Sequence, residues 1–136
     1  MSLTVEDLAS RYEAKGIASR SSQPRTLFIG TPPPAERLDE TLTLIDYGGL
    51  PPEHTHNSAP LVAYRQPRIQ VVARGRDPLA VRRLAEQAFV ESQVVNEMVG
   101  EAFYLSIQPQ QEPGDMGMDA NNRTRNGFNV LGYRRA

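Results

Sequence analysis

The sequence predicts an α+β fold: a mostly antiparallel sheet of about four to five strands, one long helix packed on one face, and a short N-terminal helix. Three observations predict it. Five short segments, apolar or alternating, lie between Pro and Gly breaks. One segment, about 77–98, carries apolar residues at helical spacing. Strands precede and follow that helix with connections compatible with hairpins.

Taken in order, Val5, Leu8, Ala9 and Tyr12 form one helical stripe, with Thr4 as candidate N-cap, Asp7 three residues on, and Gly16 as the stop. After the polar connector SRSSQPR, TLFIGTPPP is an apolar strand ended by prolines that cannot donate to a ladder. TLTLIDYGG sets Leu42 and Leu44 against Thr43, Ile45 and Tyr47, and ends at Gly48 and Gly49. PRIQVVARG places Ile69, Val71 and Ala73 on one face. Asp77 then caps a helix with Pro78 in its first turn. Val81, Leu84, Ala85, Ala88, Val95 and Val99 make its stripe, which Ser92 interrupts. AFYLSIQPQ alternates Phe103, Leu105 and Ile107, and RTRNGFNVLGYRR closes the sheet with Phe128 and Val130 on one face. The other sheet face carries Thr, Gln and Arg with Ile45, Val72 and Tyr104, toward solvent or a neighbouring subunit. Residues 1–136 read as one domain with extended loops near 48–66 and 110–122.

Composition narrows the function. A formal net charge of −1 gives no general attraction to nucleic acid, and zero cysteines exclude disulfides, thiolate catalysis and Cys-ligated zinc. No apolar run approaches the roughly 20 residues of a spanning helix, so no membrane partner is expected. The start MSLTVEDLASRYEAKG is acidic and lacks the regions of a secretory signal, so the chain reads as cytoplasmic in origin.

The stretch YGGLPPEHTHNSAP holds both histidines. Glu53, His54 and His56 are potential metal ligands, yet they sit in a loop with no further His or Cys to complete a site. The segment therefore reads as solvated or partner-facing, and no metal or cofactor is expected. G-x-S-x-G is absent, and FIGTPPP and ARGRDP lack the spacing of phosphate-binding loops. Asp115 and Asp119 lack the spacing of a calcium loop. No catalytic activity is expected. Arg68, Arg74 and Arg76 have the same parity and share a face of an extended strand, as a solvated or interface-paired edge. The candidate partner interface comprises Tyr47, Gly48, Gly49, Leu50, His54, His56, Arg68, Arg74 and Arg76.

The ordered set TLFIGTPPP, TLTLIDYGGLPP and QPRIQVVARGRDPLAVRRLAEQAF resembles the minor capsid or tail-terminator (tail completion) family of long-tailed bacteriophages. The matching residues are Gly30 with Pro32 and Pro33, Tyr47 with Gly48 and Gly49, and Pro67, Gln70, Val71, Arg74 and Gly75, over roughly residues 5–110. The His-containing loop and the Met-Gly-rich loop at 114–122 depart from the family pattern. The resemblance implies a non-enzymatic virion protein assembled in the bacterial host cytoplasm. It implies a homo-hexameric ring at the head-proximal end of the tail, which terminates tube polymerisation. The implied partners are the major tail protein and a head–tail connector, with DNA passing through the lumen without sequence-specific binding. On this reading residues 48–66 are an arm that reaches an adjacent subunit, tube or connector. The alternatives are a neck or head-completion protein, and a cytoplasmic module that binds a metal or small ligand through Glu53, His54 and His56.

Overall fold

The computed structural model describes residues 3–21, 24–34, 36–37, 39–53 and 64–135. Their element order is α1 (Thr4–Ala14), β1 (Leu27–Ile29), β2 (Thr41–Asp46), β3 (Leu50–Glu53), β4 (Tyr64–Gln66), β5 (Arg68–Gly75), α2 (Pro78–Glu91), β6 (Val94–Val99), β7 (Ala102–Pro109), β8 (Gly114–Met118) and β9 (Thr124–Arg135). The described strands form one nine-stranded mixed sheet, with β1 parallel to β2 and the other pairings antiparallel. This corrects the expected four to five strands under one long helix. The helices have 11 and 14 residues, and none is long and apolar enough to cross a membrane among the described residues.

Strand β9 is the axis. On one side β5 pairs with it from Gly75↔Thr124 to Arg68↔Leu131, and β4 continues the pairing at Arg134 and Arg135. Pro67 separates β4 from β5 because it has no N–H to give, yet its carbonyl still accepts from Gly132 N at 2.8 Å. On the other side β8 covers the first part of β9 and β7 the second. Strands β3, β4 and β8 lie inside the segments expected to be loops. Their sequences, LPPE, YRQ and GDMGM, carry prolines, polar residues or glycines that hide a strand from propensity.

The long helix stops early for three reasons. The Ser92 hydroxyl donates to Ala88 O at 2.6 Å and so accepts from Tyr12 Oη at 2.5 Å, which fixes the C-terminus of α2. VVNEMV is rich in β-branched residues, and Val94 and Val99 are buried. Gly100, at φ +60°, with Glu101 then makes a two-residue hairpin turn into β7. The helical stripe through Val95 and Val99 was a coincidence of spacing.

One face of the sheet packs on both helices. Leu42, Leu44, Ile69, Val71, Phe128 and Val130 of the sheet share a core with Leu8 and Tyr12 of α1 and Val81, Ala85 and Ala88 of α2. Phe89 meets Phe128 edge-on at 5.7 Å between ring centres. In β7 a register shift against β9 between Tyr104 and Ser106 reverses the alternation. Tyr104 therefore points to the helices and is fully buried, while Phe103 and Leu105 are only half-buried, the opposite of the expected pattern.

Tyr104 positions α1. Its hydroxyl lies 2.6 Å from Asp7 Oδ2 and 3.0 Å from Thr4 Oγ1, and its single proton goes to the charged acceptor. Asp7 is buried, with Arg134 Nη1 at 3.9 Å and Glu101 N at 3.4 Å from its carboxylate. A Cβ on Gly100 would collide with Asp7, so the turn needs glycine for space as well as for its φ. Thr4 is the first helical residue rather than the cap; the carboxylate of Glu6 instead accepts from Leu3 N at 2.9 Å. Burial, then the Asp7 carboxylate, push the Tyr104 hydroxyl well above its ordinary pKa, so it stays a donor across the whole practical pH range.

Tyr104→Phe removes the short donor from a buried carboxylate and should cost about 2–3 kcal/mol. Urea unfolding measures this; a change below about 0.5 kcal/mol would mean that the bond does not position α1.

Candidate functional site

The expected interface residues fall into two places. Tyr47, Gly48, Gly49, Leu50 and Arg68 come together at the root of the β3–β4 hairpin. His54 and His56 lie outside the described residues. Arg74 and Arg76 lie at the far end of β5, about 20 Å from Arg68 at the usual strand rise.

The root is built by a tight reversal after β2. Asp46 Oδ1 accepts from Gly48 N at 2.9 Å, an Asx turn, and Gly48 takes φ +90°. Gly49 passes so close to β4 that a Cβ would run into the Gln66 carbonyl. Arg68 Nε donates to Gly48 O at 2.9 Å, and its guanidinium lies 5.0 Å from the Tyr47 ring centre. Tyr47 Oη donates to Gln110 Oε1 at 3.2 Å. Gln66 Nε2 donates to Pro51 O at 3.1 Å, clamping the hairpin. The result is a stiff root that leaves Tyr47 and Leu50 each 40% exposed, large enough to contact a partner. Between this root and the start of α1 runs a cleft of about 280 Å³, lined by Leu3, Thr4, Asp46, Leu50, Arg65 and Arg134 among others.

Arg74 is buried, unlike the solvated edge the sequence suggested. Its Nη1 donates to Thr43 Oγ1 at 3.1 Å, and Asp119 Oδ2 lies 3.9 Å from its Nε. Arg76, just past the strand, is exposed. Sequence reasoning missed the partner that organises this end, Arg123. Its Nε donates to Asp119 Oδ2 at 2.8 Å, and its Nη1 reaches Pro33 O at 3.3 Å and Pro34 O at 3.2 Å. The proline turn after β1 is thereby tied to the start of β9. The available signal was Asp119 with Asn121, Asn122 and Arg123, an Asx-turn spacing. Asp119 Oδ1 accepts from Asn121 N at 2.9 Å and Arg123 N at 3.0 Å. Its carboxylate is engaged by these donors and is not arranged for calcium. Among the described residues, no three His, Cys, Asp or Glu side chains converge as metal ligands.

Burial alone would raise the Asp119 carboxyl. The N–H donors of Arg123 and Asn121 and the Arg123 guanidinium outweigh it and hold the carboxyl below its ordinary value of 3.8. A depressed carboxylate contributes stability that is fully present above the unfolded value and lost as pH falls through the folded one. Wild type should exceed Asp119→Asn by about 1–3 kcal/mol at pH 7, and the difference should vanish at acid pH, below the carboxyl's folded value. Urea midpoints across this range check the prediction; a difference independent of pH would refute it.

No protein-family model matches the chain, and no curated protein does. Among solved structures, the fold is similar to that of a chain in the virion of a native gene transfer agent particle. The likeness spans 99% of this chain and 100% of that one, with a TM-score of 0.61 and 8% sequence identity, so the two share a fold.

Proposed function

We propose that this chain is a structural protein of a phage-like virion and, within that class, a tail terminator. It forms a homo-hexameric ring at the head-proximal end of the tail, stops tube polymerisation and meets the head–tail connector. It makes and breaks no covalent bond. The observation that carries the reading is the end-to-end likeness to a chain of a gene transfer agent virion, with neither chain left uncovered by more than 1%. The order of turn motifs around Tyr47, Gly48 and Gly49 agrees with the tail-terminator resemblance. The stiff hairpin root supports an arm directed at an adjacent subunit, tube or connector, with Tyr47 and Leu50 as its exposed apolar contacts.

A ring needs two different surfaces on each subunit, related by a rotation that closes. Light scattering after size-exclusion tests this: the expected mass is near six times 15.1 kDa, alone or once tail tubes are supplied. Leu50→Ser should leave the circular dichroism melt unchanged and weaken association about tenfold, the scale of one buried Leu contact. A wild-type monomer that also ignores tail tubes would sink the reading.

A further inference from the structure

Three donors at one end of the sheet have nothing to bond to. Thr41 Oγ1, Arg74 Nε and Arg125 Nε are buried and lack a hydrogen-bond partner. Thr41 is the Cα partner of Arg74, and Arg74 of Arg125, so the three stand side by side across β2, β5 and β9. Directly paired residues point to the same face, at one strand spacing from each other. Arg74 and Thr41 are both more than nine-tenths buried.

The nearby acceptors are already committed. Asp119 is 3.9 Å from Arg74 Nε, too far for a hydrogen bond, and bonds instead to Arg123 and Asn121. Thr43 Oγ1 takes Arg74 Nη1, and Met116 O takes Arg125 Nη2 at 2.8 Å. Arg74 and Arg123 thus share one carboxylate, Arg125 stands beside Arg74 with no ion pair to Asp119 in the structure, and Arg76 stands exposed just past the end of β5.

We propose that the row Thr41–Arg74–Arg125 is a binding site for a compact oxyanion, a phosphate or carboxylate, which enters beside the half-exposed Arg125 and accepts from the three orphaned donors. The chemistry selects this class. All three groups donate, cations are repelled, and guanidinium Nε–H suits a multi-oxygen acceptor. Thr41 and Arg74 are buried and Arg125 is partly so, whereas a nucleic-acid backbone needs an open track with aromatic platforms. The site is independent of the virion reading.

The test is titration calorimetry and thermal melting with inorganic phosphate or acetate, each against chloride at matched ionic strength. Wild type should bind one of the two and melt higher in it, and whichever binds identifies the source. Thr41→Val removes a hydroxyl that nothing bonds, so folding is preserved while affinity falls about tenfold, one charge-assisted bond. Arg125→Lys keeps the charge, loses Nε–H and should fall similarly. Arg135→Gln, an exposed arginine at the other end of β9, should bind as wild type does. The proposal is overturned if neither anion binds beyond chloride, if Thr41→Val and Arg125→Lys bind as wild type does, or if only duplex DNA binds, indifferent to Thr41→Val.

Discussion

Strand β9 runs twelve residues through the middle of the sheet, and its backbone must be satisfied along both sides. Neither side is served by one unbroken strand. β5 and β4, split at Pro67, serve one; β8 and β7 serve the other. That demand explains why short, unpromising segments such as YRQ and GDMGM are strands at all. It also fixes the start of the hairpin, because β4 is held to Arg134 and Arg135 before it can hold β3.

The helices are attached to this frame by apolar burial and, at two points, by buried polar groups. Tyr104 and Asp7 set the start of α1, and Tyr12 with Ser92 sets its far end against α2. Burial pushes the Tyr12 hydroxyl above its ordinary pKa, so it too remains a donor. Apolar contact alone would let α1 slide along its axis. A carboxylate and a hydroxyl, each with one geometric solution, remove that freedom at the cost of desolvating a charge.

The sequence revealed the elements that alternate or cap cleanly. Leu42 and Leu44 in β2, Ile69, Val71 and Ala73 in β5, and the Asp77–Pro78 start of α2 were all legible, because one face is buried and the period shows. It misled where pairing overrides pattern. Val95 and Val99 fit a helix until the hairpin at Gly100 claimed them, and a single extra residue near Leu105 reversed the face of Tyr104. The number of strands was illegible for the same reason: β3, β4 and β8 exist through their neighbours. At the candidate site, the turn from Tyr47 to Leu50 was readable from glycine chemistry, whereas Arg68 was grouped with Arg74 and Arg76 by strand parity and its bond to Gly48 O was not foreseen. The burial of Arg74 was not, since Asp119 and Arg123 reach it from a segment some fifty residues away in the chain.

The margins of the sheet have one further consequence. β1 is three residues long and runs into Gly30 and the prolines, β3 contains Pro51 and Pro52, β6 is kinked by Asn96 at φ +49°, and β8, which pairs only with β9, is broken by a register shift between Asp115 and Met118 with Gly117 at φ +79°. None offers an uninterrupted row of donors to a stray strand, so lateral zippering into fibrils is blocked at each margin. A contact between two copies of this chain would therefore run through side chains rather than through paired backbone. Side-chain contacts of that kind come apart readily, whereas a zippered strand edge does not.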